Sequence, residues 1–128
     1  MHRLKNIAVI GLSPKPKRPS YKVASAMQSF GYHIIPVRPA ITEILGEPAH
    51  ETLSEIKEHI DLVNVFRAPE YIDGIVDECI RLNIPAIWLQ DGVINEPAAI
   101  RAQQAGLFVV MNRCIYRDYI ALFNAKSN

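Results

Sequence analysis

Short apolar runs alternate with amphipathic stretches along the whole chain, and the two patterns predict strands and helices in turn. Ile7-Ala8-Val9-Ile10 is a strand-like run that stops at Gly11. Val23, Ala24, Met27 and Phe30 then recur at helical spacing, with Gly31 placed as a C-terminal stop. Tyr32-His33-Ile34-Ile35-Pro36-Val37 reads as a second strand, and Leu62-Val63-Asn64-Val65-Phe66 as a third that runs into Arg67. Pro69 stands where first-turn prolines stand, and Ile72, Ile75, Val76, Cys79 and Leu82 share one helix face. Ala86-Ile87-Trp88-Leu89 is a fourth strand. Asn95 caps a helix that runs to the neighbourhood of Ala105, Gly106 ends it, and Leu107-Phe108-Val109-Val110 is a fifth strand. A last helix carries Ile115, Tyr119, Leu122 and Phe123 on one face.

Strands that alternate with helices, without hairpin signals between neighbours, imply parallel strands joined by crossovers. Their apolar character on both faces implies a sheet covered by helices on both sides. The expected architecture is a doubly wound, mostly parallel five-stranded sheet in three α/β/α layers, forming one domain over residues 1–128. Between Ala40 and His59 the pattern is weak. Gly46, Pro48 and the helix-like Ser54-Glu55-Ile56-Lys57-Glu58 suggest a loop plus a short helix and leave the course of this stretch open.

Composition narrows the function classes. With 49% hydrophobic and 21% charged residues in 128, the chain has the makings of a core and is not disordered. Fourteen Lys and Arg against thirteen Asp and Glu leave a charge of +1, so no global field selects nucleic acid or membrane, and an anion site must be local. Two cysteines, Cys79 and Cys114, make neither a disulfide framework nor a zinc set and fit a reducing compartment. The first apolar run is four residues long, shorter than a signal-peptide core of about 7–15 and far from a spanning helix of about 20. A soluble, cytoplasmic protein is expected.

In an open parallel sheet, ligands bind beyond the carboxyl ends of the strands, where strand order reverses. The residues that packing does not explain fall there. Strand one is followed by Gly11 to Tyr21, strand two runs into Pro36-Val37-Arg38-Pro39 and strand three into Phe66-Arg67-Ala68-Pro69, strand four gives Gln90-Asp91-Gly92-Val93 and strand five Asn112-Arg113-Cys114. In the first loop Lys15, Lys17 and Arg18 are basic, and the helix start offers unpaired N–H groups to a phosphate. Ser20 is placed to cap that helix, with a hydroxyl that could serve the backbone or a ligand oxygen. Gly-x-Gly-x-x-Gly and the Walker-type Gly-x-x-x-x-Gly-Lys-Ser/Thr are both absent. At the end of strand two an Asp or Glu would suit the ribose of NAD. Arg38 instead suits a phosphorylated ribose, as in NADP or coenzyme A.

Candidate chemistry is thin. His2, His33, His50 and His59 share no ligand spacing. Cys79 lies on an apolar helix face. Cys114 lies near a helix start, where a thiolate can be stabilised, but reads first as a small buried turn residue. No nucleophile, base and orienting group assemble from neighbouring motifs.

In this order and spacing, the motifs resemble the small CoA-binding-domain proteins, relatives of the nucleotide-binding domain of the succinyl-CoA synthetase alpha subunit. The resemblance rests on Val9-Ile10-Gly11-Leu12-Ser13-Pro14 with Arg18-Pro19-Ser20-Tyr21, Gly31 to Pro39, Ile44-Leu45-Gly46, Asp61 to Arg67, Trp88 to Val93 and Asn112-Arg113-Cys114. It implies a Rossmann-like fold that binds coenzyme A. By position, Gly11, Ser13, Pro14, Lys15 and Ser20, with Tyr21, would line the phosphate and ribose region. Val37, Arg38 and Pro39 would flank the adenosine, with Phe66 and Arg67 on the adjacent rim. Gln90 and Gly92 would lie nearer the pantetheine arm and Asn112 near the thiol end. The family commonly has Asn in place of Arg38 and often Asp in place of Asn112. The catalytic regions of the larger synthetases have no counterpart here.

The leading expectation is a CoA- or acyl-CoA-binding module without catalysis of its own, with no nucleic-acid or membrane partner. One rival is an NADP-dependent or acyl-CoA-using enzyme component completed by a protein partner. Another is a structural or CoA-responsive regulatory protein whose pocket senses CoA, or whose Cys114 forms a mixed disulfide with it.

Overall fold

A computed structural model describes the backbone of residues 5–127 and the side chains of residues 5–121. His2 and the side chains of Leu122 and Phe123 lie outside the described residues. In chain order the elements begin β1 (Asn6–Ile10), α1 (Pro19–Ser29), β2 (His33–Val37), β3 (Glu43–Ile44) and β4 (Glu47–Pro48). They continue β5 (Leu62–Val65), α2 (Ile72–Arg81), β6 (Ala86–Leu89), α3 (Glu96–Gln104), β7 (Phe108–Met111) and α4 (Ile115–Ser127).

Five strands form one sheet in the order β2-β1-β5-β6-β7, every neighbouring pair parallel. The chain leaves β1 for β2 on one side and later returns to β5 on the other, so strand order reverses between β1 and β5. Side chains alternate across the sheet. Ile7, Val9 and Trp88 pack with Val23, Ala24, Met27 and Ile115 of α1 and α4. Ala8, Ile10, Val63, Val65, Ile87 and Leu89 pack with Val76, Cys79, Ala98 and Ala102 of α2 and α3. This is the expected three-layer, doubly wound Rossmann-like arrangement, with a wholly parallel main sheet. Strand ends differ from the sequence reading by about one residue. β2 starts at His33, β5 stops at Val65, and β7 runs Phe108–Met111 because Leu107 is drawn into the turn that closes α3.

The helix stops follow the sequence. After α1, the N–H of Gly31 donates to the Gln28 carbonyl and that of Tyr32 to the Met27 carbonyl. This double closure needs a left-handed residue, and Gly31 supplies it at φ +101°. The same two bonds close α3 at Gly106 and Leu107. At the other end of α3, Asn95 Oδ1 accepts the N–H of Ala98 at 3.1 Å, the cap expected of it.

The stretch after β2 is a correction. It holds a two-stranded antiparallel hairpin, β3–β4, turning at Leu45-Gly46. The helix-like 54–58 segment shrinks to a single 3-10 turn, Leu53–Glu55. Leu53 is fully buried on the α2 side, and Ile56 is already extended, so the hydrophobic anchor falls before the segment that looked helical. His50 then ties the stretch to the sheet edge, donating its N–H to the Pro36 carbonyl and accepting the N–H of Arg38. Among the described residues, no helix is long and apolar enough to cross a membrane.

Candidate functional site

The carboxyl ends of β1 and β5 come unusually close. Gly11 has φ +81°, and its N–H donates to the Val37 carbonyl at 3.1 Å. A Cβ on Gly11 would stand 2.4 Å from the carbonyl oxygen of Phe66, so only glycine fits this approach. The chain then lifts away from the sheet as the loop to α1 and opens a cleft at the switch point.

That cleft has a volume of about 540 Å³, within the usual range for a small-molecule site. One wall is the loop and helix start, with Gly11, Ser13, Pro14, Lys15, Arg18, Pro19 and Ser20. Arg38 and Ile41 close the β2 side, Phe66 lies at the end of β5, and Gln90, Asp91 and Val93 form the wall after β6. Eight of the residues singled out from the sequence are therefore brought together: Gly11, Ser13, Pro14, Lys15, Ser20, Arg38, Phe66 and Gln90.

Ser20 does not cap α1. Pro19 takes the first helical position, where its fixed φ is favourable, and Arg18 becomes the cap residue without a side-chain cap bond. Ser20, one residue further in and buried, turns its hydroxyl back on the loop and accepts the N–H of Ser13 at 2.9 Å. Pro19 has no N–H, and Lys22 is the first to find a helical carbonyl, that of Arg18 at 3.1 Å. The N–H groups of Ser20 and Tyr21 are thus the two donors left at the helix start.

The cleft is cationic. Among the described residues, Lys15, Arg18 and Arg38 take part in no ion pair. The Arg38 guanidinium leans over the first loop, its Nη1 donating to the Leu12 carbonyl at 3.4 Å. The lining carboxylate, Asp91, is held by Arg117 of α4 through two bonds of 2.9 Å, and these raise the Arg117 pKa further. Gln90 is buried, and its Oε1 accepts the N–H of Ile115 at 3.1 Å, so it also fixes the start of α4.

The other predicted residues fall elsewhere. Val37, Pro39 and Arg67 line a second cavity of about 250 Å³ with Glu51, Thr52, Tyr71 and Glu78. Consecutive residues leaving a strand face opposite ways, which separates Arg38 from its neighbours and Phe66 from Arg67. The Arg67 guanidinium lies 4.0 Å above the Tyr71 ring centre. Tyr21 is partly buried against the α1-side core. Gly92 and Asn112 line neither cavity. Asn112, in a left-handed conformation, accepts the N–H of Gly92 on its Oδ1 at 2.8 Å and so joins the loops after β6 and β7. Cys114 is buried in the α1-side core.

Arg18, Pro19, Ile41, Asp91 and Val93 also line the cleft, though the motifs alone do not assign them to it. Four of them stand in motifs noted after the strands. Ile41 lies in the stretch whose course was open.

A CoA binding domain model matches residues 5–119. The chain belongs to the CoA-binding domain family. It is 45% identical over 115 residues to the uncharacterized protein YneT of Bacillus subtilis, covering 90% of this chain and 85% of that one. A solved structure of a hypothetical protein from Pyrococcus horikoshii OT3 superposes with a TM-score of 0.91 at 33% identity, over 95% of this chain and 86% of that one. The relationship to CoA ligases is shown as well. An ADP-forming acetate–CoA ligase of Archaeoglobus fulgidus is 29% identical over 80 residues, which are 62% of this chain and only 12% of the ligase.

Proposed function

We propose that this protein binds coenzyme A or an acyl-CoA in the cleft between the first loop and the wall after β6, as a binding module without catalysis of its own. The observation that carries the reading is the coincidence, at the switch point, of three cations outside any ion pair with the start of α1, where the N–H of Ser20 on the cleft wall and that of Tyr21 behind it have no carbonyl partner. The family supplies the ligand class. The diphosphate rests against the start of α1, flanked by Lys15 and Arg18. Arg38 meets the ribose phosphate. The adenosine reaches over the rim toward Pro39 and Arg67, and the pantetheine arm runs past Gln90 toward Gly92 and Asn112. The described lining offers charge and amide donors, while its carboxylate is occupied by Arg117.

Thermal melting with CoA, dephospho-CoA, NADP and NAD in parallel tests this. A ligand at a hundredfold excess over its Kd adds about 2.7 kcal/mol, enough to raise the midpoint by several degrees. CoA is expected to raise it most and NAD least. Equal shifts with CoA and NAD, or none with CoA, would overturn the assignment.

A further inference from the structure

Asp91 is out of keeping with an anion site: among the described residues it is the single carboxylate in a cleft whose other charged lining residues are Lys15, Arg18 and Arg38. Its partner, Arg117, does not line the cleft. It reaches over from the first turns of α4 and grips both carboxylate oxygens at 2.9 Å. The two side chains are 51% and 66% exposed, and pairs so exposed contribute little to stability. Asp91, however, stands on the cleft wall, so its charge faces whatever the cleft holds. Bidentate pairing cancels the one negative charge on the cleft wall and leaves the three cations unopposed.

We infer that Arg117 sets the affinity of the cleft for its anionic ligand without touching it, by masking Asp91. The inference rests on the CoA-binding reading for the ligand, but its logic is electrostatic. The pair carries no net charge in the native protein, one negative charge in Arg117→Ala, one positive charge in Asp91→Asn and none in the double variant. Affinity must follow that order rather than the number of substitutions.

The test measures CoA binding by titration calorimetry for the four proteins at low and high salt. At about 50 mM salt, Arg117→Ala should bind about fivefold more weakly and Asp91→Asn more tightly than the native protein. The double variant should return to within about twofold of native, and all differences should shrink at about 500 mM salt. Melting curves for each variant establish that it is folded. An unchanged affinity in Arg117→Ala overturns the inference. So does a double variant as weak as Arg117→Ala, because Arg117 would then touch the ligand or hold the fold. If the native protein fails to bind CoA, the CoA reading falls by itself. The same series with inorganic pyrophosphate then decides the mask: the charge order sustains it, and equal binding or no binding overturns it.

Discussion

The hydroxyl of Ser20 accepts the backbone N–H of Ser13 at 2.9 Å, and the hydroxyl of Ser13 accepts the N–H of Lys15 at 3.1 Å. Two serines seven residues apart thus shape the loop that walls the cleft. Because Ser20 belongs to α1, the loop is bound to the helix start that offers its amides. Ser20→Ala would leave the buried N–H of Ser13 without a partner, at a cost of about 1–2 kcal/mol. Urea unfolding should show that loss. Ser13→Ala should cost less, because the Lys15 N–H it abandons is near solvent.

Gly11 makes a stronger demand. A methyl group there meets the Phe66 carbonyl at 2.4 Å, and φ +81° is strained for any L side chain. Both obstacles are backbone, so a rotamer change relieves neither. Gly11→Ala should lose about 2–4 kcal/mol in urea unfolding, and CoA binding should fall with it because β1 and β5 part at the cleft floor. A variant as stable as native would contradict the close approach.

The fold was largely legible because apolar parallel strands and well-closed helices leave separate marks: Ile7–Ile10 stops at a glycine, Asn95 opens a helix and Gly31 closes one. The hairpin at 43–48 was not, since two-residue strands are too short to show alternation. Ser20 misled because serine before an apolar helix face looks like a cap, while Pro19 had already claimed the first helical position. In the site, the loop and Arg38 could be read because they interrupt apolar runs. The Asp91–Arg117 pair could not, since the residues stand 26 positions apart on different elements and meet only through the fold.

Arg38 should govern discrimination between ligands. Its guanidinium is unpaired by any carboxylate among the described residues and bends toward the first loop. If it receives the ribose phosphate, Arg38→Ala should weaken CoA by about 1.5–3 kcal/mol, as expected for a charge-assisted hydrogen bond, and leave dephospho-CoA nearly unchanged. Paired calorimetric titrations check this. An equal loss for both ligands would place the phosphate elsewhere.

Acid sensitivity should concentrate at Asp61. Partial burial alone would raise its pKa, but the N–H groups of Asn6 and Lys5, at 2.9 and 3.0 Å, and the nearby His59 outweigh it and bring the carboxyl below its ordinary 3.8. A carboxylate with a lowered folded pKa stabilises fully above its unfolded value and loses that contribution as pH falls through the folded one. The bonds anchor the start of β1 beside β5, so their loss loosens the centre of the sheet. Native protein should therefore lose stability below about pH 4, and Asp61→Asn, lower in stability at pH 7, should show a shallower acid decline. Urea midpoints at successive pH values measure both.

The thiols decide between a binding module and a redox-responsive one. Burial, with Glu78 nearby, pushes Cys79 up to about 12, so it has almost no thiolate at neutral pH. Cys114 stands beside the start of α4 but is only 9% exposed and packs in the core that holds Val9, Leu12 and Trp88. A mixed disulfide with CoA requires an incoming sulfur to reach it through that packing. Both cysteines should therefore react with a thiol reagent at pH 8 at least about a hundredfold more slowly in the native than in the unfolded protein, protected by the free energy of opening the core. Mass spectrometry of partly labelled protein resolves the two sites. Rapid native labelling of Cys114, suppressed by CoA, would favour the regulatory alternative. Slow labelling indifferent to CoA would leave reversible binding as the function of the cleft.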